Sequence, residues 1–218
     1  MFLYFNGCSY THGKGCEDRK KQRFSTLVSD RLGADHFNDS RSGSSNDKIV
    51  ERTMTWLKDN TCDYGIILMT HCARMQMNNK MMPMGKHLAK EEDKEVNQMF
   101  YDNFYSDELG ATNFYRNRYI LEQAFEKRGI PLLLFQYCPL PYQKTNIWKE
   151  YCDGDLPLVS KTFWNNFELS SSIDTILGRR KNKKYYWSEK DNRTIGHFNY
   201  KGHEKVADWI IGKLTPTI

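Results

Sequence analysis

The 218-residue sequence has no long hydrophobic run. No stretch approaches the roughly 18 to 20 apolar residues that a membrane helix needs, so a membrane-spanning helix is excluded. The opening Met1-Phe2-Leu3-Tyr4-Phe5-Asn6-Gly7 has no basic segment ahead of it and too short an apolar run for an export signal. A soluble, cytoplasmic protein is therefore expected. The six cysteines, at 8, 16, 62, 72, 138 and 152, include no Cys-x-x-Cys pair. In a chain of this size without an export signal, reduced thiols are expected rather than a disulfide framework. His12, His36 and His87 show no zinc-type spacing with the cysteines, so no metal site is expected. Repeats, linkers and long biased tracts are also missing, which leaves one domain spanning 1–218. A hydrophobic content of 39% with abundant Tyr, Phe and Trp supplies its core and argues against disorder.

Charge of one sign is only mildly in excess: 32 basic against 27 acidic side chains give a formal charge of +5. That balance favours an anionic partner without requiring nucleic acid. The excess is concentrated in Arg179-Arg180-Lys181-Asn182-Lys183-Lys184, which runs into Tyr185-Tyr186-Trp187. Such a run reads first as a solvated face, and second as a surface for nucleic-acid bases to stack on.

Apolar patterning supplies an alternation of strands and helices. Phe2 to Phe5, closed by Asn6-Gly7, suits a buried strand ending in a tight turn. Phe24, Leu27, Val28, Arg31 and Leu32 follow helical spacing up to Gly33, a helix terminus. His36 to Asn38 forms a short second strand. Ser45 or Asn46 caps a helix carrying Ile49, Val50, Met54 and Leu57. Asp63 to Thr70 is the strongest central-strand signal. Residues 75–111, rich in methionine and then acidic and aromatic, break the rhythm and read as an inserted segment, with packing favoured over a substrate lid. A helix from about Asn113 to Lys127 leads into a fourth strand, Ile130 to Tyr137. Residues 142–184 read as irregular helices over one edge. Val206, Trp209, Ile210 and Leu214 mark a packed C-terminal helix. The result is an α/β, flavodoxin-like three-layer sandwich with a mostly parallel sheet in the order 2-1-3-4.

In open α/β sheets, ligands collect beyond the carboxyl ends of the strands. Four polar segments occupy such places: Gly7-Cys8-Ser9-Tyr10-Thr11, Ser42-Gly43-Ser44-Ser45-Asn46, Thr70-His71-Cys72-Ala73-Arg74, and Gly196-His197-Phe198-Asn199-Tyr200-Lys201-Gly202-His203. In this order they resemble the blocks of the SGNH (GDSL-like) hydrolases, a family of esterases, lipases and other acyl-processing enzymes. The resemblance spans almost the whole chain and extends to short divergent members found in large tailed phages.

The resemblance implies Ser9 as nucleophile, with its own N–H in the oxyanion hole, Gly43 as a second oxyanion donor, and His197 as general base. It also shows two departures. Thr194 stands where the family commonly has an aspartate three residues before the histidine, with Asp191 three residues further back. Thr70-His71-Cys72-Ala73 replaces the usual Gly-x-Asn-Asp, so the asparagine donor is missing. Thr70, His71, Arg74, Asp191 and Asn46 are the candidate supporting residues. Arg74 is favoured as the substitute donor because a guanidinium also holds an anionic substrate.

Plainer readings stand beside these. A serine after a strand is often only a turn residue, His71 is equally well a buried polar group satisfied by backbone, and His203 reads as structural. The implied activity is hydrolysis of a small-molecule acyl ester by a serine esterase, which requires no cofactor. Acyl transfer from the same site, or an SGNH-fold module binding a nucleotide or nucleic acid, are the alternatives.

Overall fold

In the computed structural model, residues 1–77, 80–82, 93–137, 176–177, 185, 187–188, 193–194 and 197–214 are described. The elements in chain order begin with β1 (Phe2–Asn6), α1 (Arg19–Gln22), α2 (Phe24–Leu32), β2 (Asp35–Asn38), α3 (Asn46–Asp59) and β3 (Tyr64–Met69). A hairpin of β4 (Met75–Met77) and β5 (Lys80–Met82) follows, then α4 (Lys94–Asn103), α5 (Asp107–Glu126) and β6 (Leu132–Gln136). The short pair β7 (Trp187–Ser188) and β8 (Arg193–Thr194) precedes α6 (Tyr200–Leu214). The main sheet has four strands in the order β2-β1-β3-β6, and every neighbouring pair is parallel.

The alternation along the central strands divides the core into two layers. Leu3 and Phe5 of β1, with Ile66 and Leu68 of β3, face Phe24 and Val28 of α2 and Val206, Ile210 and Leu214 of α6. Tyr4, Ile67 and Met69 point the other way, toward Ile49 and Leu57 of α3 and Phe114, Leu121 and Phe125 of α5. A strand buried on both faces needs a continuous apolar run, which is what β1 and β3 carry. The three-layer α/β sandwich expected from the sequence is the observed architecture.

Local signals place the helix ends. Gly33 closes α2 at φ 60°, its N–H bonded to Asp30 and Ser29 carbonyls. The Ser45 hydroxyl accepts from Lys48 N and starts α3. Two expectations need correction. Helix α5 begins at Asp107, not near Asn113, because the Ser106 hydroxyl caps Leu109 N and Asp107 and Glu108 occupy the positive first turn. Met54 is 38% exposed, and Thr53 takes the buried position on α3, where its hydroxyl meets Tyr4 and Asn6.

Among the described residues, no helix is long and apolar enough to cross a membrane. Cys8, Cys16, Cys62 and Cys72 are free thiols, while Cys138 and Cys152 lie outside the described residues, as does most of 142–184.

Two glycines set opposite expectations for stability. A Cβ on Gly65 in β3 would sit 2.2 Å from the ring of buried Phe125, so Gly65→Ala should overpack the layer and lower the unfolding free energy by about 1–3 kcal/mol. A Cβ on Gly212 in α6 meets nothing within 4 Å, so Gly212→Ala should raise it by roughly 0.5–1 kcal/mol. Urea denaturation of the two variants checks the pair; equal midpoints would contradict the close approach at Gly65.

Candidate active site

The chain leaves β1 through a turn with no room for a side chain at its start: a Cβ on Gly7 would lie 2.2 Å from Thr11 Oγ1 and 3.0 Å from the Leu68 carbonyl. His12 N–H then donates to the Cys8 carbonyl at 3.0 Å, Gly13 N–H to Tyr10 at 3.1 Å and Lys14 N–H to Ser9 at 2.9 Å. These bonds hold Ser9 in a tight loop at the carboxyl end of the sheet. Ser9 is buried, 6% exposed.

From the far end of the chain, His197 approaches the same point. Its Nε2 lies 2.8 Å from Ser9 Oγ across a separation of 188 positions. Three features hold the ring. Tyr10 packs on it at 4.8 Å between centroids, and Tyr10 itself stacks with Tyr137 at 4.6 Å and Phe198 at 5.0 Å. Gly15, at φ 108°, lets the loop after Ser9 press against this backbone: a Cβ there would be 2.5 Å from the Phe198 carbonyl. Asn199 then starts α6, its Oδ1 accepting from Gly202 N at 3.1 Å.

The rest of that final block is structural. A Cβ on Gly202 would lie 2.6 Å from Phe198 Cβ, so the glycine allows α6 to seat on the buried Phe198. His203 is fully buried, and its Nδ1 accepts from Phe24 N at 3.1 Å. A ring accepting at Nδ1 is neutral and carries its proton on Nε2. Burial, followed by the proximity of His197, pushes its pKa down to about 3.

Gly43 sits in the turn Arg41-Ser42-Gly43-Ser44, closed by Ser44 N–H to the Arg41 carbonyl at 3.4 Å, with φ 83° at the third position. Positive φ there is the type II requirement that glycine meets without strain. The loop is attached to the Ser9 turn by Arg41 N–H to the Gly7 carbonyl at 3.4 Å and by His12 Nδ1, 3.1 Å from the Ser40 carbonyl. Among the described residues, neither the Ser9 N–H nor the Gly43 N–H is committed to a hydrogen bond.

The third segment is pinned by Asn46, whose Oδ1 accepts from Thr70 N at 2.9 Å and whose Nδ2 donates to the Thr70 carbonyl at 3.2 Å. Asn46 thus joins the start of α3 to the end of β3. His71 Nδ1 accepts from Ala73 N at 3.0 Å. Arg74 folds back so that Nη1 donates to Thr70 Oγ1 at 3.3 Å, while its buried Nε has no partner among the described residues. Burial pushes the thiol pKa of neighbouring Cys72 up. Asp191, His87 and the basic run 179–184 with Lys183 and Lys184 lie outside the described residues, and of Thr194 only the backbone, in β8, is described. Among the described residues, no group of three or more His, Cys, Asp or Glu side chains is placed to hold a metal ion.

The three-layer α/β fold with its parallel β2-β1-β3-β6 sheet matches that of solved GDSL-type (SGNH) esterases. Solved structures similar over their whole length include the psychrotrophic esterase EstA from Pseudoalteromonas sp., at 13% identity and a TM-score of 0.56, covering 99% of this chain and 97% of that one. TesA follows at 13% identity and a TM-score of 0.54, with 100% of each chain covered. A protein from Desulfitobacterium hafniense DCB-2 described as lipolytic and of the G-D-S-L family gives 12% identity and a TM-score of 0.51, covering 98% and 99%. No family model and no curated protein matches the sequence.

The neutral burial of His203 has a pH signature. Its unfolded form titrates near 6.5 and its folded form near 3. Between those values the unfolded chain binds the extra proton, so stability falls as pH drops from 6.5 toward 3. His203→Asn keeps an acceptor for Phe24 N–H and removes the titration. Urea unfolding should show the variant losing less stability than the parent between pH 6.5 and 4, by about 3 kcal/mol. Identical slopes would mean that His203 is not held neutral.

Proposed function

We propose that the protein is a serine hydrolase of the SGNH type that cleaves small-molecule acyl esters through an acyl-enzyme on Ser9. The observation that supports this most is the 2.8 Å approach of His197 Nε2 to Ser9 Oγ, made by residues from opposite ends of the chain. That distance is within the reach that general-base removal of a hydroxyl proton requires.

In the first half-reaction His197 Nε2 takes the Ser9 proton as Oγ attacks the ester carbonyl. The carbonyl π pair moves onto oxygen, and the N–H groups of Ser9 and Gly43 receive that developing charge. Collapse expels the alcohol, which leaves with the proton from His197. Water then attacks the acyl-enzyme, His197 takes its proton, and the acid departs as Ser9 regains its hydrogen. An alcohol in place of water would make the same intermediate an acyl donor, and product analysis separates the two outcomes.

The imidazolium formed in each step needs stabilising. The Tyr10 ring against His197 contributes on the order of 0.5–1 kcal/mol as an aromatic partner of a cation. Asp191 is the nearest carboxylate upstream in sequence, six positions before His197, and we assign it at most a partial share of the orienting role. Arg74 beside Thr70 is the proposed contact for an anionic part of the substrate.

A fluorophosphonate probe followed by peptide mapping tests the assignment. Labelling should map to Ser9, vanish in Ser9→Ala and slow by about 10³-fold or more in His197→Ala, with hydrolysis of a short p-nitrophenyl ester falling in parallel. Absence of labelling, or labelling of another serine, would overturn it. Asp191→Asn should retain far more turnover than Ser9→Ala; equal losses in folded proteins would instead make Asp191 the third member of a triad.

A further inference from the structure

One cation of α3 is absorbed by neither the core nor the proposed chemistry. The Arg52 side chain is 13% exposed and enters the space between the ends of β1 and β2. Its Nε donates to the Asp39 carbonyl at 3.0 Å and lies 3.9 Å from the Asp39 carboxylate. Its Nη2 reaches Ser44 Oγ at 2.9 Å, Asn6 Oδ1 at 3.1 Å and the Gly7 carbonyl at 3.4 Å. Burial pushes the guanidinium pKa down, with Asp39 opposing the shift, and burial pushes the Asp39 pKa up, with Arg52 opposing it. A guanidinium buried at such a cost needs its donors met by protein acceptors, and these hydrogen bonds supply them.

Two of these acceptors, the Gly7 carbonyl and Ser44 Oγ, belong to the turns that carry the proposed oxyanion donors, and Asn6 leads directly into the first of them. Ser44 Oγ, while accepting from Arg52, donates to the Arg41 carbonyl at 2.8 Å, so it ties both ends of the turn that aims the Gly43 N–H. Asn6 Oδ1, while accepting from Arg52, also accepts from Gly7 N at 2.7 Å, where the chain turns toward Ser9. Glycines 7 and 43 have no side chains to pack, so their loops depend on polar ties for a common register. A guanidinium is a rigid planar fork able to span these acceptors, whereas a lysine ammonium is a point charge on a flexible stem.

We infer that Arg52 is a positioning residue for the oxyanion hole, fixing the Gly43 turn relative to the Ser9 turn through Ser44 Oγ and Asn6 Oδ1. This rests on the roles given above to Ser9 and Gly43. Arg52 acts through the two loops and touches no reacting atom.

The test compares wild type with Arg52→Lys, Arg52→Met, Ser44→Ala and the Arg52→Met/Ser44→Ala double variant. It reads kcat and KM on a short p-nitrophenyl ester, the fluorophosphonate labelling rate, the pH profile and thermal melting. Arg52→Met should lower kcat and the labelling rate by about 10²-fold, the scale of losing one oxyanion donor. KM should change little, and the pH midpoint should stay in place because His197 is untouched. Arg52→Lys should fall between, Ser44→Ala should lose about tenfold, and the double variant should be no slower than Arg52→Met, because both act through one network. If Arg52→Met does not fold, Ser44→Ala, which deletes a single oxygen, decides alone. Folded variants with kcat within about twofold of wild type, a loss confined to KM, or additive losses in the double variant would overturn the inference. An inert wild type would overturn the Ser9 reading and this one together, whereas an active wild type matched by its variants would overturn this one alone.

Discussion

A single buried amide organises the end of the sheet at which the proposed active site lies. Asn6 closes β1 with a fully buried side chain, and an unpaired amide there would cost on the order of 1–3 kcal/mol. Its Nδ2 lies within 3.0 Å of Tyr4 Oη and the Ile49 carbonyl and 2.8 Å from Thr53 Oγ1, while Oδ1 receives Gly7 N and Arg52. Satisfying one residue thus fixes the height of α3 against the sheet and the direction in which the chain leaves β1. The Ser9 turn, the Gly43 turn and the Arg52 fork all stand on that arrangement.

The site is assembled by close backbone approach as much as by side chains. Gly7 lies against Thr11 and the Leu68 carbonyl, Gly15 against the Phe198 carbonyl, and Gly202 against the Phe198 side chain. The first two bring separate segments nearer than a Cβ permits, and the third seats the start of α6 on Phe198, so that together they carry the first turn and the last helix to one point. The resulting 2.8 Å contact between Ser9 and His197 is a product of the whole sheet, since no local element spans it. That is how two separate turns bring a hydroxyl and an imidazole within hydrogen-bond reach of each other.

The two histidines of the final block show how environment divides roles between like groups. His203, buried among Phe24 and Phe198 rings and accepting from a backbone N–H, is held neutral and serves packing. His197, partly exposed beside Tyr10, keeps an edge open to water, as its proposed role as general base requires. Six positions in sequence separate them, yet the α6 start turns one into the core and the other toward Ser9.

Much of this was legible in the residues alone. The apolar runs of β1 and β3 and the helical spacing in α2 and α6 specified a parallel α/β sandwich, because strand and helix periodicities are local and burial on both faces leaves a continuous apolar signature. Ser9, Gly43 and His197 were singled out by the resemblance of their segments, in order along the chain, to the SGNH blocks. The position of Thr53 in place of Met54 in the core, the pairing of Asn46 with Thr70, the Tyr10 ring on His197 and the convergence of Arg52 on two loops were not legible. Each depends on how far α3 or α6 slides and rotates over the sheet, which polar groups settle only when they meet partners tens of residues away. Sequence by itself determined which segments become strands, helices and turns; tertiary structure alone decided which polar atoms meet, because hydrogen bonds at 3 Å are set by rigid-body placement that no local pattern encodes.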